Sequence, residues 1–345
     1  MERVTIELAT PVVADLPRLI AELSGWQNDD WPGHLHPGDV GWHSMVGAEQ
    51  TATHLRIWTS DASLVAVAML DGNALRMALD PSAVDDEVLA ARIAGDLTDP
   101  ATGVITSSEA VIEARGPRAL LAQLRRSGWA DDEPWTPLCK DLTGRVGPRR
   151  SSQADLRVES VGSEKADVWI GVHWSAFKGT PLDEATHQRL TQRWITMATG
   201  PFARSGHHLI GYDTHDVPVA VTSVWTAGPG RPGLIEPMGV HRDHHGHGYG
   251  SAITLAGAYA LQQAGASTAV VVAENSNEAA LATYIKTGFT ARQAVTDLRR
   301  DRDTRSAIAS SSAEIASSDS LNGFLHTKCC ISSLAAACWP VTSAR

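Results

Sequence analysis

Between Val240 and Ser251 the chain reads Val-His-Arg-Asp-His-His-Gly-His-Gly-Tyr-Gly-Ser, so Gly246, Gly248 and Gly250 alternate with larger residues. The apolar run Gly233 to Gly239 reads as a strand before this stretch, and Ala252 to Gln263 reads as a helix after it. Glycine admits positive φ and lets a ligand approach a backbone that carries no Cβ. The free N–H groups of a helix's first turn converge at the positive end of its dipole, which suits a phosphate. The chemistry implied is anion binding; a plain turn that caps a helix is the alternative. The stretch lacks the Lys-Ser/Thr ending of a nucleotide P-loop, and its Gly246-x-Gly248-x-Gly250 spacing is not the Gly-x-Gly-x-x-Gly of a dinucleotide site.

The elements around it follow from periodicity. In the second half, strands are expected at Leu156 to Val161, His208 to Tyr212, Val217 to Trp225, Gly233 to Val240, Thr268 to Ala273 and Thr290 to Arg299. Helices are expected at Lys165 to Phe177, Leu182 to Ala198, Ala252 to Gln263 and Asn277 to Thr287. The first half repeats that order. Strands fall at Val4 to Leu8, Leu55 to Trp58, Ser63 to Leu70, Ala74 to Leu79, Ala110 to Glu113 and Trp135 to Asp141. Helices fall at Ala14 to Leu23, Asp86 to Leu97 and Pro117 to Ser127. Gly25 to His43 reads as a Gly/Pro-broken loop whose tryptophans either line a pocket or anchor the loop to a neighbouring core. Each half ends a helix in Gly-aromatic, Gly128-Trp129 and Gly288-Phe289, and a repeat of this size points to two copies of one fold.

Two of the later segments carry a resemblance. His245-Gly246-His247-Gly248-Tyr249-Gly250 is similar to the Arg/Gln-x-x-Gly-x-Gly/Ala signature of the GNAT acyl-CoA N-acyltransferases, with histidine in place of the leading Arg or Gln. Asn277-Glu278-Ala279-Ala280, Tyr284 and Gly288-Phe289 resemble the family's second signature with its spacing intact. The likeness covers about residues 154 to 300 and implies an α+β, α/β-type mixed sheet, here as two GNAT-like domains in tandem. It implies that the turn holds the pyrophosphate of acetyl-CoA through backbone N–H groups of Gly246, Gly248, Gly250 and Ser251, with His245 and His247 on its rim. The pantetheine would pair with the strand ending at Val240, and the Met238 N–H would stabilise the oxyanion. Asn277 would touch the pantetheine or its neighbouring backbone.

The resemblance also implies a reaction: an amine attacks the thioester, and the coenzyme leaves as a thiolate that needs a proton. A phenol, with a pKa of about 10, can donate to a thiolate whose acid has a pKa of about 8.5. Tyr284 stands where the family places that acid. Glu236, on one strand face with Leu234 and Met238, is the candidate base, although Pro237 suggests a bulge that re-aims it. A non-catalytic acyl-CoA-binding or sensing protein is the competing class. His241, His244, His245 and His247 also invite a metal reading, but a basic rim around the phosphates fits their spacing better, so no metal is expected.

The first half resembles the same fold without its site. After Ala74 to Leu79 the chain runs Asp80-Pro81-Ser82-Ala83-Val84-Asp85-Asp86 with no glycine. The two Gly-aromatic markers stand 160 positions apart, and the same offset puts Leu124 at the place of Tyr284 and Pro117 at that of Asn277. The expected organisation is a degenerate domain at 1–145, a linker at 146–153, an active domain at 154–303, and a Ser/Ala-rich tail at 304–345 that reads as disordered.

Composition excludes other classes. A net charge of -10 argues against nucleic acid and is compatible with cationic amines. No apolar run approaches the roughly 18 residues of a membrane span. No signal-like segment opens the chain, and four cysteines do not make a disulfide framework, so a cytoplasmic setting is expected. Three of those cysteines, Cys329, Cys330 and Cys338, lie in the tail without paired Cys-x-x-Cys spacing. The acceptor is expected to be a small-molecule amine or a peptide; whether the chain forms a homodimer stays open.

Overall fold

In a computed structural model, described over residues 5–30, 34–105, 107, 109–144, 146 and 154–300, the alternating segments become one mixed sheet. The Ser/Ala tail with its cysteines, and residues 147–153 of the expected linker, lie outside the described residues. The first half supplies β1 (Ile6–Ala9), α1 (Leu16–Trp26), α2 (Pro37–His43), α3 (Ala48–His54), β2 (Leu55–Ser60), β3 (Ser63–Asp71) and β4 (Ala74–Leu79). Then come α4 (Glu87–Thr98), β5 (Ala110–Glu113), α5 (Arg118–Arg126) and β6 (Ala130–Asp141). The second half supplies β7 (Arg157–Val161), α6 (Ala166–Phe177), α7 (Glu184–Thr199), β8 (Gly206–Tyr212), β9 (Pro218–Thr226) and β10 (Gly233–Val240). It continues with α8 (Tyr249–Gln263), β11 (Thr268–Glu274), α9 (Glu278–Lys286), β12 (Thr290–Ala291) and β13 (Val295–Arg300).

The sheet order is β1-β2-β3-β4-β5-β13-β6-β11-β10-β9-β8-β7, with β12 pairing β6. From the central β13/β6 pair the order runs outward alike in both directions, and in each half one pair is parallel, β4/β5 and β10/β11. The two closing strands are exchanged. β6 follows the first half in sequence yet pairs with β11, and β13 follows the second half yet pairs with β5. The single closing strand expected at Thr290 to Arg299 is two pieces, and only the second reaches β5.

Helices cover the sheet because their apolar faces need a partner. Leu89, Ile93 and Leu97 of α4 and Leu120 and Leu124 of α5 pack with Trp58, Leu75 and Met77 in one core of the first half. In the second half, Trp169 and Trp194 of α6 and α7 share a core with Trp225, while Ala258 and Leu261 of α8 pack with Tyr284 and Phe289.

The expected loop at 25–43 is corrected: its last third is helix α2, and Ala48–His54 forms the further helix α3. His36 caps α2, its Nδ1 accepting from the Gly38 N–H at 2.9 Å. Gly38 and Gly41 would be poor choices for an isolated helix. Here they let α2 lie against Trp225, because a Cβ at these positions would stand 2.3 Å and 2.5 Å from that side chain. Trp42 then reaches across to the second half, its ring centroid 5.6 Å from that of Trp169. Of the two readings of the loop tryptophans, Trp42 takes the anchor.

Candidate active site

β10 and β11 pair through Gly233–Ala269 and Leu234–Val270 only, so beyond Leu234 a gap opens between the two parallel strands. A register shift between Ile235 and Met238 sets the bulge that Pro237 foreshadowed. Thr222 Oγ1 donates to the Pro237 carbonyl at 2.9 Å, and Trp225 Nε1 donates to the Glu236 carbonyl at 2.9 Å, which pins the bulge from the β9 side. After it, Met238, Gly239 and Val240 sit opposite Thr222, Val221 and Ala220. The His241 N–H donates to the Val219 carbonyl at 2.8 Å. Backbone groups alternate along a strand, so the Met238 and Val240 N–H groups face the other way, toward the gap. That edge is a ready template for an extended ligand.

At the end of β10 the glycine turn has Gly246 at φ +82 and Gly248 at φ +81. The helix starts earlier than its apolar pattern suggested: α8 begins at Tyr249, with Gly248 as its N-cap and no side chain capping it. Gly250 and Ser251 therefore lie in the first turn, whose N–H groups have no intrahelical acceptor. The histidines brace the turn. His245 Nε2 lies 3.0 Å from the Val240 carbonyl, and His247 Nδ1 lies 2.9 Å from the His245 carbonyl while its ring stacks on Tyr249. Among the described residues no group of three or more His, Cys, Asp or Glu side chains is arranged to hold a metal ion.

The second motif converges on the same place. A Cβ at Gly250 would stand 3.5 Å from Thr283 of α9 and 3.6 Å from Val240, so the turn, β10 and α9 meet there. Tyr284, the next residue on α9, is buried, its ring 5.8 Å from that of Phe289 in the cluster against which Met238 packs. Asn277 caps α9, its Oδ1 accepting from the Ala280 N–H at 3.1 Å. The expected pantetheine contact and the observed cap fall on the same amide.

Glu236 is brought to the seam between the halves, where its carboxylate lies 3.5 Å from Arg76 Nη1 on β4. Arg76 also pairs with Asp39 of α2 at 2.8 Å and with Glu113 of β5 at 3.4 Å, and Arg115 binds Asp297 through two nitrogens at 2.8 Å and 3.1 Å. Burial pushes Asp297 up to about 6 against the pull of Arg115, and it raises Asp39 against the pull of Arg76. A small cavity of about 40 Å3, lined by His34, Arg76, Glu113 and Glu236 among others, sits in this network. Sequence reasoning missed Arg76, Asp39 and Glu113. A signal existed: Arg76 stands 160 positions before Glu236, the offset of the two Gly-aromatic markers.

In the first half the corresponding turn is a short helical turn at Pro81–Ala83 without glycine. The Asp86 carboxylate accepts from the Val88 and Leu89 N–H groups at 2.8 Å and 3.0 Å, so a negative charge already fills the N-terminus of α4.

A sheet split between two parallel strands, with a glycine turn leading from one of them into a helix, is the arrangement that the resemblance led us to expect. The acetyltransferase (GNAT) family model matches residues 171–289, within the second half of the chain. The chain is 32% identical over 132 residues to a mycothiol acetyltransferase from Kytococcus sedentarius. That match covers 37% of this chain and 43% of the relative, less than half of its length. Among solved structures, a tandem GNAT protein from the clavulanic acid biosynthesis pathway is 16% identical, with a TM-score of 0.56 over 86% of this chain and 98% of that one. A GNAT-family acetyltransferase from Colwellia psychrerythraea is 13% identical, with a TM-score of 0.54 over 86% and 100%. These two likenesses are likenesses of fold. Among the described residues no helix is long and apolar enough to cross a membrane.

Proposed function

We propose that the chain transfers an acetyl group from acetyl-CoA to an amine of a small molecule or peptide, by direct attack on the thioester. The observation that carries this reading is the pair of N–H groups, Met238 and Val240, facing the gap beside the glycine turn. The turn's N–H groups at Gly246, Gly248, Gly250 and Ser251 bind the pyrophosphate, with His245 and His247 at its edge, and the pantetheine lies along β10. Asn277 holds the start of α9 beside it. The acceptor nitrogen attacks the carbonyl carbon, and the Met238 N–H binds the oxygen as it becomes an oxyanion. The C–S bond then breaks, Tyr284 gives its proton to the departing sulfur, and the proton lost by the amine goes to Glu236, directly or through water.

The division of labour is part of the proposal. Residues 154–303 form the active domain, and residues 1–145 form a GNAT-like domain without a coenzyme site, since Asp86 occupies the helix end that a phosphate would need. Acetyl as the transferred group draws support from the matched family's description and from the name of the Kytococcus relative.

Tyr284→Phe tests the acid. We expect kcat to fall about 100-fold or more, with acetyl-CoA still bound, because the phenyl ring keeps the packing against Phe289. Unchanged kcat would remove Tyr284 from the mechanism. One observation favours a second reading, acyl-CoA binding without transfer: Glu236, the candidate base, is engaged by Arg76. Amine-dependent thiol release separates the two.

A further inference from the structure

A cavity of about 650 Å3 lies mainly in the half that has no glycine turn. Its wall comes from the ends of α2 and α3, the hairpin between β3 and β4, Gly103 to Ile105 and Ser107, with Arg193 contributed by α7 of the second half. Its ionised groups are two guanidiniums, Arg56 and Arg193, against the single carboxylate of Asp71. The Arg56 nitrogens donate to the carbonyls of Thr53, Leu55 and Gly103, which hold the cation in place without cancelling its charge. Arg193 has no ion-pair partner among the described residues.

A row of imidazoles ends at the same wall. Gln50 Nε2 lies 2.8 Å from His54 Nε2, and His54 Nδ1 lies 2.7 Å from His43 Nε2. With the Gln50 amide donating, each ring passes the donor role on, and the row ends in a buried His43 Nδ1–H that has no acceptor among the described residues. Burial, with His54, Arg76 and Arg193 nearby, pushes His43 down to about 3, so the ring is neutral at pH 7 and the buried N–H lacks an oxygen.

This cavity and the small one at Glu236 share two elements. On α2, His43 lines the large cavity and Asp39, one turn earlier on the same face, lines the small one. On β4, Ala74 lines the large cavity and Arg76, two residues on and on the same face, lines the small one. The small space, about 40 Å3, suits one compact polar group such as an amine.

Resting on the transferase reading above, we propose that the first half's cavity binds the body of the acceptor, and that it selects amines carrying a carboxylate or similar anionic group. The anion sits between Arg56, Arg193 and the His43 N–H, and the amine extends past Asp39 and Arg76 to Glu236. The half without a coenzyme turn would then be the half that reads the acceptor.

The test is a matched set of acceptors: an amino carboxylate, its amide, and the corresponding amino phosphonate, assayed by thiol release and by calorimetric binding. Wild type should favour the two anionic members over the amide by about tenfold or more in kcat/KM. Arg193→Met should bring that ratio toward one, and Arg193→Lys should restore part of it. Gln50→Glu, a surface change that adds a negative charge to the wall, should lower the ratio independently. A wild-type ratio near one, or a ratio insensitive to these variants, overturns the proposal. So does anion binding that depends on Arg193 while every kcat/KM ratio stays fixed, which would mark an effector site. If no amine is turned over, the transferase reading fails by itself; calorimetry then decides this inference, with Arg193-dependent binding of the amino carboxylate supporting it and no such binding overturning it.

Discussion

Replacing Gly248 with alanine separates conformation from space at the turn. Its φ of +81 lies in the left-handed region, where an L-residue costs roughly 1–2 kcal/mol. A Cβ there would meet nothing closer than Ala154 at 3.7 Å, so the backbone conformation is the whole cost. Gly250 is the control: it lies inside α8 without positive φ, its Cβ would make ordinary contacts at 3.5 Å and 3.6 Å, and alanine there should be neutral or stabilise by up to about 1 kcal/mol. Thermal unfolding should place Gly248→Ala below wild type by about 2–4 °C per kcal/mol, and Gly250→Ala at or above it. If Gly248→Ala relaxes by flipping the turn, the N–H groups lose their common aim. Each lost bond to a charged phosphate is worth about 1.5–3 kcal/mol, so calorimetry should show acetyl-CoA binding about tenfold weaker or worse. Wild-type stability and affinity in Gly248→Ala would refute the argument that this backbone geometry makes the anion site.

Gly41→Ala should destabilise by about 1–3 kcal/mol in chemical denaturation, because its Cβ would lie 2.5 Å from Trp225 and α2 must move; an unchanged midpoint would show that α2 does not pack there. Acid should unfold the chain early. Burial pushes His34 and His208 down to about 4, and His36, His43 and His173 to about 3. Each contributes stability that is full above the unfolded value of about 6.5 and is lost, at about 1.4 kcal/mol per pH unit, as pH falls toward its folded value. Asp297, pushed up to about 6, has the opposite sign and regains stability as pH falls from about 6 toward 4. Five groups outweigh Asp297 and Asp39, which burial also raises, so denaturation midpoints should drop steadily from pH 6.5 to pH 5; a flat profile would contradict the burial of these imidazoles.

What was legible in the sequence was what local chemistry decides. β4 and β10 fall at their expected residues because turn-forming residues bound each apolar run. The glycine turn was readable because glycine takes φ near +80 without the strain of a Cβ, as Gly246 and Gly248 do. Helix α2 was not readable: Pro37, Gly38 and Gly41 look like loop residues until Trp225, far along the chain, explains why two positions carry no side chain. The exchange of β6 and β13 leaves no local mark, since a closing strand reads the same whichever sheet it joins. The Arg76–Glu236 pair was hidden for a related reason. Neither residue's neighbours hint at the other, and only the internal repeat connects them.

The central claim is that the gap between β10 and β11 moves an acyl group and does not merely hold a coenzyme. Thiol release from acetyl-CoA by the full chain, measured with and without a panel of amines, tests it most directly. The account predicts release that rises with amine concentration, saturates, and leaves an acetylated amine in equal amount. Tight acetyl-CoA binding with no amine-dependent release, for any member of a panel that includes carboxylate-bearing amines, would contradict it.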